Sequence, residues 1–177
     1  DIRDLDLLKD KALNHFAFSS SERTLLILGG SLGARTINES ILAGIDNLID
    51  SKVQVIWQTG KGYYDSYKAK LSGHDLLKIR VQDFVREMDL AYAAADVVIS
   101  RAGALSVSEV CIAKKAVILV PSPNVAEDHQ TKNAMALVQN NAAILVKDAD
   151  ARQNLIDKAL ILSKDENQLK ELHIKIR

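Results

Sequence analysis

The chain has 177 residues, 47% of them hydrophobic and 26% charged, a composition typical of one ordinary globular domain. Lys plus Arg equals Asp plus Glu at 23 each, so no overall basic field points to nucleic acid or to an anionic membrane surface. The single cysteine, Cys111, excludes an internal disulfide and provides no set of metal ligands. No apolar run approaches the roughly 20 residues of a membrane span, and no signal peptide is visible. Because the sequence starts at Asp1 and stops within a helical pattern, we expect it to be part of a longer protein.

Short runs rich in Val, Ile and Leu alternate with helical patterns along the chain. These runs are apolar on both faces, which predicts a parallel sheet of about six strands covered by helices on each side. The predicted strands are 24–28, 53–58, 77–81, 96–100, 116–120 and 142–146. The predicted helices are 5–15, 34–49, 61–71, 87–95, 105–113, 127–140, 151–162 and 166–175.

The strand–helix order predicts a doubly wound, Rossmann-like α/β fold. We expect one domain, in which residues 1–23 form a leading helix and lead-in. Residues 24–162 form the core, and residues 163–177 form a truncated terminal helix. In such a sheet, ligands bind outside the carboxyl ends of the strands.

The stretch LGGSLGA, at 28–34, joins the first predicted strand to the helix that follows. Gly29 and Gly30 can adopt backbone angles closed to other residues and let a ligand approach the main chain. Ser31 adds a hydroxyl, and the helix from about Gly33 presents unpaired N–H groups and the positive end of a dipole. The stretch is therefore typical of an anion site, although a plain tight turn has the same pattern.

Two familiar phosphate motifs do not fit this turn. A dinucleotide fingerprint needs G-x-G-x-x-G, but Leu28 stands at the first glycine position when Gly30 and Gly33 fill the others. The acid expected after the second strand is also replaced by WQTGKG. A P-loop needs Gly-Lys-Ser/Thr at a helix start, and the closest stretch, at 60–62, lacks it.

A second anion-binding turn is predicted in SRAGALSVSE, at 100–109. Gly103 ends the strand connection, and the N–H groups of residues 104–106 would open the next helix. Two such helix ends suit a diphosphate. Glu109, one turn further, could accept hydrogen bonds from two vicinal ribose hydroxyls. The alternatives are an acid that satisfies the helix dipole and serines that cap the helix.

A third polar segment, VPSPNVAEDHQTKNA at 120–134, follows the fifth predicted strand. Gln130 and Asn133 are three residues apart, so they share a helix face. Paired amides can bind sugar hydroxyls because they both donate and accept hydrogen bonds. A solvated polar helix start is the alternative. No catalytic Ser-His-Asp set, carboxylate pair or metal motif accompanies them.

In this order and spacing, the three motifs resemble the carboxyl-terminal domain of the MurG family of glycosyltransferases. The resemblance covers about residues 24–162. It implies one half of a two-domain GT-B enzyme that moves N-acetylglucosamine from UDP-N-acetylglucosamine to a lipid-linked muramyl-pentapeptide. This reaction, inverting at the anomeric carbon, makes lipid II for peptidoglycan.

The resemblance implies roles for two sets of residues. Gly30 and Ser31 would meet the diphosphate, together with Ala104, Leu105 and Ser106.

The second set would hold the nucleoside and the sugar. Phe84 and Val85 would flank the uracil, with the Val85 main chain reading its edge. Glu109 would hold the ribose hydroxyls, and Gln130 and Asn133 the N-acetylglucosamine hydroxyls.

The resemblance also implies what lies outside this sequence. The amino-terminal domain, with the acceptor site and the expected general base, is absent, so we expect this chain alone to bind donor weakly and transfer no sugar. No metal or cofactor is expected, and no nucleic-acid partner. Localisation would be cytoplasmic, at the inner face of the bacterial plasma membrane through the full-length protein.

The chain departs from the family at Lys114 and Asn141, where glycine is usual, and at Ala116, where proline is usual.

Two other functions remain open from the residues. Another UDP-sugar enzyme, such as a UDP-N-acetylglucosamine epimerase, would need acid–base carboxylates facing the sugar, and the sequence shows no such set. A non-enzymatic nucleotide-sugar-binding module would act with a separate partner subunit. A dehydrogenase is the weakest alternative, because the dinucleotide spacing fails.

Overall fold

Six parallel strands form a single sheet in the computed structural model, which describes residues 4–30 and 32–176. The strands are β1 (Thr24–Leu28), β2 (Gln54–Gln58), β3 (Ile79–Gln82), β4 (Val97–Ser100), β5 (Ala116–Leu119) and β6 (Ile144–Leu145). Their spatial order is β3-β2-β1-β4-β5-β6, with every pair parallel. This order confirms the doubly wound arrangement. All six predicted strands are present, and β6, which pairs only with β5 among the described residues, is shorter than predicted.

Nine α-helices connect and flank the strands of the described chain. They are α1 (Lys9–Phe16), α2 (Arg35–Ala43), α3 (Ile45–Asp50), α4 (Tyr64–Lys70), α5 (Met88–Ala94), α6 (Ala104–Ala113), α7 (His129–Val138), α8 (Ala151–Lys164) and α9 (Glu166–Lys175). Short 3-10 turns precede α1, α7 and α8.

The helix predicted over 34–49 is interrupted at Gly44, which separates α2 from α3. A Cβ at Gly44 would lie 2.7 Å from Cγ1 of Ile156, so α8 packs against the chain at the break. Glycine is also a poor helix former and a common helix end. Helical periodicity alone predicts one continuous helix, because the apolar stripes of the two segments are in phase.

Both faces of the sheet are buried. In β1, Leu25 and Ile27 pack into one core with α2, α3, α4 and α8, while Leu26 and Leu28 pack into a second core with α1, α5, α6 and α7. All five residues of β1 are buried, which explains why its sequence is apolar without alternation.

From β1 to β3, successive strands are added towards one edge of the sheet, and from β4 to β6 they are added towards the other edge. The segment after β1 leads into α2 on one face, and the segment after β4 leads into α6 on the other. Diverging connections leave a crevice outside the carboxyl ends of the two strands, where ligands of such folds bind. Both glycine turns therefore lie at the topological switch point.

Candidate functional site

A cleft of about 500 Å³ opens at the carboxyl ends of β1, β4 and β5, and we call it the switch-point cleft. Its walls are the turn after β1, the start of α2, the loops after β4 and β5, and the first residues of α6 and α7. The lining residues are Gly29, Gly30, Gly33, Ala34, Arg35, Thr36, Tyr63, Arg101, Gly103, Ser106, Ser122, Pro123, Asn124, Gln130 and Asp148. The lining thus contains three of the predicted ligand contacts, Gly30, Ser106 and Gln130.

The glycines of the first turn have two different structural tasks. Gly30 and Gly33 both have left-handed angles, with φ of 79° and 82°. A Cβ on Gly33 would meet the Thr59 carbonyl oxygen at 2.4 Å, whereas a Cβ on Gly30 would meet nothing within 4 Å. Gly33 is therefore required by backbone packing, and Gly30 leaves the main chain open to a guest. Ser31, predicted to contact the diphosphate, lies outside the described residues.

Two helix N-termini face the cleft. α2 begins at Arg35 and α6 at Ala104, and within the described residues neither has a side-chain cap. The Thr36 hydroxyl, in the first turn of α2, donates to Asp148 Oδ2 at 3.0 Å. The first-turn N–H groups of both helices are consequently available to an anion. Leu105 is 73% exposed, and because a leucine side chain has no hydrogen-bond donor, only its main chain can serve in this way.

Arg101 is the most buried charge of the cleft, with its side chain 16% exposed. Its Nη1 donates to the carbonyls of Val120 and Pro121, at 3.2 and 3.3 Å, and pairs with Asp148. These bonds fasten the β4 loop to the β5 loop and to the segment before α8. Asp148 neutralises this guanidinium, and the other arginine of the lining, Arg35, pairs with Glu39 at 2.8 Å, so the helix ends add positive charge that no carboxylate cancels.

Glu109 is half-buried on α6, one turn beyond Ser106. It accepts a hydrogen bond from the Tyr92 hydroxyl of α5 at 3.3 Å. Burial, and then the neighbouring Glu109 carboxylate, raises the pKa of Tyr92 well above its usual value. The phenol therefore stays protonated and donates to the carboxylate, which fixes one oxygen of Glu109.

The loop between β3 and α5 carries Phe84 and Val85. Phe84 is half-buried and Val85 fully buried, and the Val85 N–H donates to Oε1 of Gln58 at 2.8 Å. Because that N–H is already bonded, the main-chain group of Val85 that remains for a base is its carbonyl. A carbonyl can accept the N3–H of uracil.

Gln130 and Asn133 both fasten the loop after β4. Oε1 of Gln130 accepts from the N–H groups of Ala102 and Ser122, at 3.2 and 2.8 Å. Asn133 Nδ2 donates to the Ala102 carbonyl at 3.0 Å. Gln130 lines the cleft and Asn133 does not. Sugar binding by these two amides stays a prediction, and the structure assigns them a loop-fastening role that sequence spacing did not indicate.

The 3-10 turn before α7 has a distorted backbone. Glu127 and Asp128 both have left-handed angles, with φ of 54° and 55°. The α-helix consequently begins at His129, two residues later than the predicted start.

Gln58, Arg101 and Asp148 are site residues that sequence reasoning missed. A polar side chain at the end of an otherwise apolar strand, as Gln58 is in VIWQ, was the available signal. Arg101 and Asp148 lie 47 residues apart in the chain, so no local pattern indicates that they pair.

A larger cavity, of about 620 Å³, lies at the amino ends of the strands, opposite the switch-point cleft, among charged side chains. Its charges are largely paired with each other, as in Lys9–Asp96 and Arg23–Glu166, both at 3.2 Å. The helix end beside it, that of α9, is capped by Asp165, which accepts from the N–H of Gln168. The switch-point cleft, whose helix ends have no side-chain cap in the described part of the chain, is therefore the better candidate anion site despite its smaller volume.

Two absences hold for residues 4–30 and 32–176, the part of the chain that the structure describes. Among them, no three His, Cys, Asp or Glu side chains are grouped as metal ligands would be. None of the helices in this part of the chain has both the length and the hydropathy needed to cross a bilayer.

Residues 24–176 match the family described as Glycosyltransferase family 28 C-terminal domain, and the chain belongs to this family. It is 52% identical over 161 residues to a Parabacteroides distasonis protein, covering 91% of this chain and 44% of that one. That protein is named UDP-N-acetylglucosamine--N-acetylmuramyl-(pentapeptide) pyrophosphoryl-undecaprenol N-acetylglucosamine transferase. A Phocaeicola vulgatus protein of the same name is 49% identical over 176 residues, with coverages of 99% and 47%. The chain thus spans about half the length of the curated relatives it matches.

The fold has a counterpart in the crystal structure of Acinetobacter baumannii MurG. The TM-score is 0.75 at 29% identity, over 94% of this chain and 48% of the MurG chain. This likeness and the curated relatives confirm the resemblance to the MurG family and the α/β fold of one half of a GT-B glycosyltransferase.

Proposed function

We propose that this chain is the donor-binding domain of an inverting N-acetylglucosaminyltransferase. The full-length enzyme would move N-acetylglucosamine from UDP-N-acetylglucosamine to undecaprenyl-pyrophosphoryl-N-acetylmuramyl-pentapeptide, converting lipid I to lipid II. The observation that carries the proposal is the opening of two helix N-termini, those of α2 and α6, into one cleft, with no side-chain cap on either among the residues that the structure describes. The names of the relatives at about 50% identity support the choice of sugar and acceptor.

The two helix ends suit the leaving group of this reaction. When the acceptor hydroxyl attacks the anomeric carbon, the C–O bond to UDP breaks and negative charge builds on the diphosphate. Main-chain N–H groups and helix dipoles stabilise that charge without reorganising. Each helix end contributes about 0.3–2 kcal/mol, so two of them lower the barrier without accounting for the whole catalysis. A general base for the acceptor hydroxyl is expected in the amino-terminal domain.

The nucleoside would lie beside the cleft, next to α6 and the loop that precedes α5. A carboxylate can accept hydrogen bonds from two ribose hydroxyls, and Glu109 lies one helical turn from the proposed phosphate contact at Ser106. The Tyr92 hydroxyl orients this carboxylate. Phe84 would contact the uracil ring, and the carbonyl of Val85 would accept its N3–H. Gln130 and Asn133 would face the N-acetylglucosamine.

The domain organisation and cellular location follow as part of the same proposal. Residues 24–162 form the donor-binding core, and the acceptor-binding domain belongs to the full-length protein. That protein would act at the inner face of the plasma membrane, where its lipid-linked acceptor lies. By itself, the present chain would bind UDP-N-acetylglucosamine weakly and transfer no sugar. Robust lipid II synthesis by the isolated chain would contradict this division of labour.

A charge placed in the first turn of α6 tests the proposal. Ser106→Asp sets a carboxylate beside the predicted diphosphate, and it also favours the helix dipole, so the fold should be retained. We expect UDP affinity, measured by isothermal titration calorimetry, to fall by about tenfold or more, because like charges a few ångströms apart repel strongly in a partly shielded cleft.

Ser108→Asp is the matched control for this test. Ser108 is exposed on the same helix, outside the lining of the cleft, and receives the same change of charge. Its UDP affinity should stay within about twofold of the unaltered chain. Equal losses in both variants, or none in Ser106→Asp, would reject the diphosphate site. A thermal-shift series with UDP-N-acetylglucosamine, UDP-glucose and NAD completes the test, and stabilisation by NAD alone would overturn the proposal.

A further inference from the structure

We propose that Gln58 is a positioning residue that joins the glycine turn after β1 to the loop that carries Phe84 and Val85. One buried amide would thereby set the spacing between the phosphate-binding and base-binding parts of the site. This inference rests on the proposed function of the switch-point cleft. It concerns a residue that does not itself line the cleft and, in our assignment, does not contact the ligand.

The place of Gln58 in the sheet explains how one side chain reaches both segments. It is the last residue of β2, paired in register with Leu28 of β1 on one side and with Gln82 of β3 on the other. The glycine turn follows β1, and the Val85 loop follows β3. Gln58 therefore lies between the two segments, and it is only 2% exposed.

The two ends of the Gln58 amide are bonded to different segments. Oε1 accepts the Val85 N–H at 2.8 Å, and Nε2 donates to the Gly30 carbonyl at 3.0 Å. Only a side chain with an acceptor and a donor on one planar group satisfies both partners. Ionised glutamate has the same shape, but it replaces the donor with an oxygen that faces the Gly30 carbonyl oxygen, so the comparison is made at a pH where the introduced carboxyl is ionised.

The remaining bonds of this region do not depend on Gln58. The Thr59 N–H donates to the Gln82 carbonyl at 2.9 Å, and the Gly60 N–H donates to the Asp83 carbonyl at 3.1 Å. These bonds keep the end of β2 attached to the β3 loop. We therefore expect a variant at Gln58 to retain the fold, while the glycine turn loses its hydrogen-bonded link to the loop that carries Phe84 and Val85.

Gln58→Glu is the variant that isolates the link to Gly30, because a glutamate oxygen can still accept the Val85 N–H. We expect its affinity for UDP to fall by about tenfold, since one buried hydrogen bond is replaced by an unfavourable oxygen–oxygen contact. Its affinity for uridine, which has no diphosphate, should change by about twofold or less. A merely structural defect would weaken uridine and UDP binding by the same factor.

Gln54→Glu is the matched control, because Gln54 lies on the same strand and is equally buried at 2% exposure. Its amide bonds Ser19, Glu22 and Thr24 at the other end of β2, away from the cleft. This variant should bind UDP as the unaltered chain does. A folded Gln58→Glu that keeps normal UDP affinity would overturn the inference.

A measurement on the unaltered chain tests the link independently of any variant. Pyrophosphate, which lacks a base, should slow hydrogen exchange of the Val85 amide when it binds at the glycine turn. Unchanged Val85 exchange at saturating pyrophosphate would overturn the link. A chain that binds neither UDP nor pyrophosphate would instead overturn the proposed function itself, so the two failures are distinguishable.

Discussion

Replacing Gly33 by alanine should destabilise the protein far more than replacing Gly30, although both glycines have left-handed angles. Their φ values of 82° and 79° are nearly equal, so the cost of a left-handed alanine, about 1–2 kcal/mol, is common to both variants. The difference lies in the surroundings. The new methyl group at Gly33 would be 2.4 Å from the Thr59 carbonyl oxygen and 2.7 Å from Cδ2 of Tyr63, and at Gly30 it would meet nothing within 4 Å.

The worst steric clash in Gly33→Ala is with a backbone atom, the Thr59 carbonyl oxygen. The Thr59 oxygen belongs to the end of β2 and cannot move without disturbing the sheet, so overpacking should add about 1–3 kcal/mol or more. For a domain of this size, each kcal/mol lowers Tm by roughly 2–4 °C. We expect a fall of a few degrees for Gly30→Ala and of about 10 °C for Gly33→Ala.

Differential scanning calorimetry and UDP titration together separate packing from binding in this pair. Gly30→Ala places its methyl group in the open space of the cleft, so it should weaken UDP binding while leaving most of the stability intact. Gly33→Ala should mainly lower stability. Similar falls in Tm for the two variants would refute the assignment of Gly33 to backbone packing, and normal UDP affinity of Gly30→Ala would refute the contact at Gly30.

Two further predictions concern buried ionisable groups. Tyr92→Phe keeps the buried ring but removes the hydrogen bond to Glu109, so it should cost about 1 kcal/mol of stability and weaken UDP binding about threefold to tenfold. Unchanged affinity would remove the orienting role of Tyr92, and pyrophosphate binding is the control that should not change. Burial, followed by the nearby Lys9 ammonium, lowers the pKa of Lys115 to about 8. The unfolded chain keeps this proton up to about pH 10.4, so charged Lys115 lowers stability below pH 8, and the penalty disappears as the pH rises towards 10. Lys115→Met should therefore raise the free energy of unfolding by about 1–2 kcal/mol at pH 7 and by much less at pH 10, and equal gains at both pH values would contradict the shifted pKa.

Two departures from the family pattern are explained by backbone angles. Lys114 and Asn141 stand where the resemblance implies glycine, and both residues have left-handed angles, with φ of 51° and 52°. Lys114 ends α6 in the conformation that glycine adopts most easily at a helix end. Asparagine tolerates this conformation better than lysine does. The turn geometry expected from the family is thus retained with non-glycine residues.

Local sequence patterns predict much of the fold and part of the candidate site. Apolar runs such as TLLIL predict buried strands, and helical periodicity between them predicts the crossovers, because both depend on neighbours a few residues apart. Gly29, directly after β1, and Gly103, three residues after β4, mark the two predicted anion-binding turns for the same reason. Gly30, Ser106 and Gln130 could accordingly be predicted as one group, and the structure brings them to one cleft.

Tertiary structure decided which polar groups remain for a ligand. The Gln58 amide links two loops that follow different strands, Arg101 is neutralised by Asp148, and the Oε1 of Gln130 is occupied by main-chain N–H groups. The break at Gly44 depends likewise on Ile156, which belongs to a distant helix. Each of these features joins residues far apart in the chain. Local pattern specifies the kind of element and the kind of turn, whereas the pairing of side chains across the sheet exists only after the strands have taken their order.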